Sequence, residues 1–267
     1  MNYIQSILLG IIEGITEFFP ISSTGHMILA ASVMGILENK ITNLFLISVQ
    51  FGAVLSVIFL YRNKFFFQNL DFYLKIVLAS FPVGLFGFFL NKIINFFLNQ
   101  PLIVSLSLLI GGLVIVKVEM LYENNFYNRK NNNSITYSKA FVIGLFQCIS
   151  LIPGVSRSAT IIVACMIQNV NKIKAIEFSF FLSIPVIGIA TCKKLFDYYF
   201  QLNFFTLKDL ELLLLGNIVS FVTGIIAIKC FIKYLKNFKL FGYYRIVLGV
   251  FFIIYCTFFK NGKLLLV

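Results

Sequence analysis

The chain has 267 residues, 60% hydrophobic and 12% charged, with a formal net charge of +12 and a mean hydropathy of +0.94. Soluble domains run near roughly 45–50% apolar and 25% charged, so a soluble domain is excluded and an all-α polytopic membrane protein is expected. The basic residues sit in short runs between apolar stretches, which suits positive-inside bias and anionic lipid and argues against a nucleic-acid partner.

No basic region precedes the first apolar stretch, and Glu13 and Glu17 interrupt it, so no cleaved signal is expected. Residues 3–18 and 21–36 are each too short to cross a bilayer, and Pro20 separates them. A broken segment with polar residues at its centre predicts a re-entrant helical hairpin, tolerated at depth only where protein buries the bend. Spanning helices are expected near 42–61, 72–91 and 101–118, broken at Arg62-Asn-Lys64 and Lys92. The polar stretch Glu119 to Lys139, with Asn131-Asn132-Asn133, reads as a linker. A second hairpin, 138–152 and 156–169, flanks Pro153-Gly154, and three more spans follow near 173–192, 210–229 and 240–259. Lys193-Lys194 and the run Lys229 to Lys239 separate those spans. The five cysteines are scattered without metal or redox spacing and read as buried small hydrophobes.

The two halves match at an offset of 134 residues, half the chain. Gly10 aligns with Gly144, Ile15 with Ile149, Ser22 with Ser156, Ile28 with Ile162 and Ala30 with Ala164. That is the mark of duplicated membrane units, here 1–125 and 126–267. One re-entrant hairpin plus three spanning helices per half is an odd number of crossings. The repeats must then be inverted, with hairpin tips meeting near the midplane. Lys and Arg are richer on the side holding 62–75, 117–139, 172–174 and 229–245 than on the side holding Lys40, Lys92, 193–208 and 260–263. The first side is therefore expected to be cytoplasmic, with both termini and the mouth of the first hairpin facing outward.

The first polar island is Glu13-Gly-Ile-Thr-Glu17-Phe-Phe-Pro20-Ile-Ser22-Ser23-Thr24-Gly25-His26. Ionisable groups at membrane depth are costly, so such a cluster is by default a candidate site. Glu13 and Glu17, four apart, share a helix face and need a proton, a cationic partner or a metal such as Mg²⁺ or Ca²⁺. Of the hydroxyls in Ser22-Ser23-Thr24, one is expected to cap the following helix. A surplus serine is a candidate nucleophile, and the helix N-terminus is a natural phosphate site. His26 is a base, a nucleophile or a packed side chain; its place beside Ser23 favours catalysis.

The second island is Gln147-Cys-Ile-Ser150-Leu-Ile-Pro153-Gly154-Val-Ser156-Arg157-Ser158-Ala-Thr160. The planar guanidinium of Arg157 fits phosphate oxygens in a fork, with hydroxyls and helix N–H groups completing the cradle. The plainer alternative is an ion pair from Arg157 to Glu13 or Glu17 that holds the hairpins together. The two islands together describe phosphoryl chemistry on a lipid-borne substrate.

On these residues the chain resembles the bacitracin-resistance family of undecaprenyl-diphosphatases. The Glu-x-x-x-Glu pattern is met by Glu13 and Glu17, followed by Ser22-Ser23-Thr24-Gly25-His26, and Pro-Gly-x-Ser-Arg-Ser-x-x-Thr by Pro153 to Thr160. The resemblance covers nearly the whole length. It implies removal of the terminal phosphate from a polyprenyl diphosphate, with a divalent cation, on the outer face of the bacterial inner membrane. It also implies metal binding by Glu13 and Glu17, and action at phosphorus by Ser23 and His26 with Arg157 and Glu17. The substrate-binding set is then Ser22, Thr24, Gly25, Gln50, Gly154, Ser156, Arg157, Ser158 and Thr160. Whether Ser23, His26 or water attacks stays open, as does a homodimer. An inverted-repeat transporter or flippase is the main rival; unequal islands favour an active site. Membrane phosphatases that need two histidines are excluded, since His26 is the sole histidine.

Overall fold

The structure is a computed structural model that describes residues 1–124, 134–202, 206–234 and 238–258. The linker centre Asn131-Asn132-Asn133, part of the 193–208 and 229–245 stretches, and the 260–263 charges lie outside the described residues. Among the described residues all regular structure is helical.

The first hairpin is α1 (Tyr3–Thr16) and α2 (Ser23–Val33). Asn2 and Gln5 form a reciprocal capping box at the start of α1. Then come α3 (Lys40–Phe66), α4 (Leu70–Phe89), the short α5 (Asn91–Leu98) and α6 (Pro101–Asn124). The second hairpin is α7 (Tyr137–Gln147), a 3₁₀ turn at Cys148–Leu151, and α8 (Arg157–Ile167). The chain continues through α9 (Lys172–Leu202), α10 (Leu207–Tyr234) and α11 (Lys239–Phe258).

Six of these helices, α3, α4, α6, α9, α10 and α11, are long and apolar enough to cross a membrane, as expected of a polytopic membrane protein. Their outer faces carry Val77, Phe81 and Phe88 on α4, Leu214, Ile218 and Val222 on α10, and Val247 and Phe251 on α11. Such large exposed apolar surface suits lipid, not water. The apolar stretches of α3 and α9 are each 56% buried against 17% for α11, which makes α3 and α9 the central pair. They pack on each other, with α1 and α3 against α10, α4 against α7, and α6 against α11.

The charged ends sort the helices. Lys64 pairs with Glu177, Lys172 with Glu119 and Lys239 with Glu123, so the C-terminal ends of α3 and α6 meet the starts of α9 and α11. The Lys75 ammonium lies over the Tyr137 ring, placing the start of α7 beside the start of α4. At the far end of α9, Lys194 donates to Asn95 of α5, and near the start of α10 Glu211 accepts from Tyr3 of α1.

Four sequence expectations change. The charged breaks expected at Arg62-Asn-Lys64, Lys193-Lys194 and Lys229 lie inside α3, α9 and α10, with α3 kinked at Tyr61. The helix α6 runs on to Asn124, so Glu119 and Glu123 are helical ion-pair partners and not linker. The charged break at Lys92 is itself the helix α5, in which Leu98 is buried while Ile93 and Phe96 are exposed. Among the cysteines only Cys165 is buried; Cys192 and Cys230 lie on exposed faces of apolar helices, where lipid replaces protein packing.

Candidate active site between the hairpin tips

Each hairpin bends through a backbone conformation that is costly for most residues. At the first tip Ser22 adopts φ 71°, and its hydroxyl accepts from the Gly25 N–H to cap α2. At the second, Gly154 has φ +92°, and a Cβ there would stand 2.5 Å from the Val104 carbonyl oxygen and 2.8 Å from Ser107 Cβ. Only glycine satisfies both demands. Ser156 then caps α8, accepting from the Ala159 N–H at 3.2 Å.

The tips touch. The Ser158 hydroxyl donates to the Phe19 carbonyl at 3.1 Å, and a Cβ on Gly25 would lie 3.4 Å from Gly154 Cα. Flanking apolar clusters hold them there: Met27, Ile28 and Leu29 of α2 sit in one, and Ile161, Ile162 and Ala164 of α8 in the other.

Glu17 joins the two islands. Its Oε1 accepts from Arg157 Nη2 at 2.6 Å and its Oε2 accepts from Ser23 Oγ at 2.5 Å. It is 8% exposed. Glu13, one turn earlier, is fully buried, and neither of its carboxylate oxygens has a hydrogen-bond partner. It lies within electrostatic reach of Glu17, Ser23 and Arg157. Arg157 Nη1 is also buried without a partner, which leaves a donor of the fork free for a further acceptor.

Glu17, Ser23 and Arg157 border a cavity of about 140 Å³, and Glu13 lies behind its lining. Its polar lining is Glu17, Ser22, Ser23, Thr24, Gln50, Ser150, Ser156, Arg157 and Ser158; Val83, Leu151, Val186 and Ile187 form apolar walls. Gln50 reaches in from α3 and donates to Thr24 Oγ1 at 3.0 Å. Pro82 in α4 and Pro185 in α9 each precede a wall residue, so each of these continuous wall helices lacks one backbone N–H donor beside the cavity. A larger cavity of about 460 Å³ opens at the lysine-rich end, between α3, α4 and α9, and contains no island residue.

The remaining sequence candidates stand around this lining. Gly25 and Gly154 form the tip contact, and Thr160 Oγ1 donates to the Arg157 carbonyl at 2.8 Å, inside α8. His26 is behind the first tip. A carbonyl can only accept, so the contact of 2.7 Å between Nδ1 and the Ser22 oxygen puts a proton on Nδ1. In the neutral ring Nε2 then accepts from the Tyr244 hydroxyl at 2.8 Å, with the two rings parallel.

Sequence reasoning passed over Ser150, Tyr244 and Arg245. Arg245 is 1% exposed and sits in the second turn of α11, although its number placed it with the basic loop 229–245. The available signal was a lone arginine inside the apolar stretch 240–259.

The family model described as bacitracin resistance protein BacA matches residues 6–251. An undecaprenyl-diphosphatase of Flavobacterium psychrophilum is 50% identical over 94% of this chain and 94% of its own. Its counterpart in Flavobacterium johnsoniae is 49% identical over 94% of each chain. An undecaprenyl-diphosphatase of Sulfurihydrogenibium is 40% identical over 94% of this chain and 98% of its own.

Proposed function

The chain belongs to the bacitracin resistance protein BacA family, and from that premise we propose that the cavity between its hairpin tips is the catalytic site. The protein is a multi-pass membrane phosphatase that hydrolyses undecaprenyl diphosphate to undecaprenyl phosphate and inorganic phosphate. Transport alone is not favoured. The observation that carries the site assignment is the simultaneous contact of Glu17 with Ser23 and Arg157.

That contact suggests how substrate could arm the site. The terminal phosphate competes for Arg157, whose free Nη1 gives a first foothold. As the guanidinium turns to phosphate, Glu17 loses its cation and is free to take the Ser23 proton. Ser23 Oγ then bonds the terminal phosphorus while the bond to the bridging oxygen breaks, and the lipid leaves as its monophosphate. Water displaces Ser23 in a second step, and the proton held by Glu17 returns to the serine oxygen. Arg157 and the N-terminal N–H groups of α2 and α8 stabilise charge on the transferring group throughout.

Glu13 and Glu17 would hold the divalent cation. Glu13 offers two buried oxygens without a protein partner, and among the described residues no cluster of three or more His, Cys, Asp or Glu forms a closed metal cage. Two carboxylates suit an ion that takes its other ligands from phosphate and water. When bound, Mg²⁺ or Ca²⁺ would supply Lewis-acid neutralisation of phosphate charge.

We propose inverted repeats over 1–125 and 126–267. Support comes from the start of α1 lying beside α10 and the start of α7 lying beside α4, with the lysine pairs gathered at the second of these ends. The lysine-rich end would be cytoplasmic and the first hairpin would open outward from the bacterial inner membrane. The direct test of the site is phosphate release from undecaprenyl diphosphate by purified protein, with and without chelator. Wild type should release phosphate, chelator should abolish release, and Glu17→Gln should lose about 100-fold or more. Near-normal release by Glu17→Gln would remove this cavity from the reaction.

A further inference from the structure

Tyr244 and Arg245 are consecutive on α11, outside both islands, yet both reach the hairpin tips. The guanidinium of Arg245 is spent on main-chain carbonyls: Nη1 donates to Pro20 at 3.2 Å, Nη2 to Gly154 at 3.0 Å and Ser107 at 3.3 Å, and Nε to Leu108 at 3.4 Å. Pro20 and Gly154 lie in the turns of the two hairpins. A single buried cation thus ties one bend to the other and both to α6. None of the ion pairs among the described residues involves it, which makes it an expensive way to obtain packing alone.

Tyr244 reaches the same tips by another path. Its hydroxyl holds His26, His26 holds the Ser22 carbonyl through Nδ1, and Ser22 is the left-handed residue at the cavity edge, immediately before Ser23. The Ser22 carbonyl also accepts the His26 main-chain N–H at 3.1 Å, so ring and backbone of one residue pin the strained turn.

We propose that Tyr244 and Arg245 are positioning residues for phosphoryl transfer, Arg245 by bracing the two bends against each other and Tyr244 by fixing the His26 ring that holds Ser22. The inference rests on the assignment of the cavity as the catalytic site. A brace acts on the geometry of reacting groups, so its loss lowers kcat more than it raises KM.

The test measures kcat and KM for undecaprenyl diphosphate, and thermal midpoints in detergent, for Tyr244→Phe, His26→Ala, the double variant, Arg245→Lys and Glu17→Gln. Tyr244→Phe keeps the ring stack and should lower kcat about fivefold, the worth of one hydrogen bond, at unchanged KM and thermal midpoint. Acting through His26, it should add nothing in the His26→Ala background. Arg245→Lys keeps the charge but cannot reach both bends, and kcat should fall about 100-fold. Should Arg245→Lys fail to fold, Tyr244→Phe and the double variant decide alone. Wild-type kcat in Tyr244→Phe, or independent losses in the double variant, overturns the proposal. If Glu17→Gln also remains active, the site assignment fails as well; if Glu17→Gln is dead, only the brace is lost.

Discussion

The two hairpins share a scaffold and differ in chemistry. Each ends in a bend with a positive φ, each second arm is capped by a serine, and each first arm presses a glycine onto a spanning helix of the other half. Where the first carries Glu13 and Glu17, the second carries Gln147 and Leu151; where the second carries Arg157, the first carries Ser23. The shared parts are those that make a tip, namely bend, cap and close approach. The divergent parts are those that bear charge. An attacking group and an anion clamp cannot be the same residue type, so a two-tip site needs its halves to be unequal.

The hardest blow to this division would fall on the clamp. Arg157→Lys leaves a cation opposite Glu17 but removes the second donor arm, and phosphoryl transfer should slow by about 100-fold. The measurement is phosphate release at saturating substrate, with cation concentration fixed. Turnover near wild type would mean that Arg157 serves as a tether between tips, which a lysine can also supply, and that the anion is held elsewhere.

Exchanging the acid sharpens the comparison from the other side. Glu13→Gln gives the first tip the residue that the second has at Gln147, without changing length. If Glu13 holds the cation, the Mg²⁺ concentration needed for half-maximal activity should rise by about 10-fold to 100-fold, with activity partly recovered at high Mg²⁺. Titration of activity against Mg²⁺ checks it. An unchanged titration, with lower activity at every concentration, would make Glu13 a participant in charge balance alone.

Much of this molecule was legible because lipid simplifies the reading. Six apolar stretches appear as spanning helices that start within a few residues of their expected places, although α3, α6, α9 and α10 run on five to ten residues further, and the polar islands stood out against them. Contacts outside the islands were harder to read. Within the islands the ion pair from Arg157 to Glu17 was among the sequence alternatives, and only folding shows that the same carboxylate also holds Ser23. Arg245 was hidden because a lysine-rich loop precedes it, so its charge merged with the loop's. Its acceptors are four main-chain carbonyls, and any residue can offer a carbonyl, so no side-chain pattern could announce them. The Tyr244 contact has the same character: tyrosine at a membrane edge is common, and pairing with His26 across 218 positions leaves no local trace.

The smallest effect on turnover should come from the scaffold that the hairpins share. A Cβ at Gly144 of α7 would stand 2.5 Å from the Ala79 carbonyl oxygen of α4, and one at Gly10 of α1 would stand 2.8 Å from the Gly216 carbonyl oxygen of α10. Both neighbours are backbone, so the helices themselves must separate. Each alanine substitution should destabilise by about 1–3 kcal/mol, Gly144→Ala more than Gly10→Ala because its clash is closer and Ala79 contributes Cα and carbonyl carbon as well. Thermal midpoints in detergent measure the cost, and turnover per folded molecule should stay within about twofold because neither glycine reaches the cavity. A large loss of turnover from Gly144→Ala at normal stability would show that the α4–α7 spacing sets tip geometry, and the scaffold could then no longer be separated from the chemistry it carries.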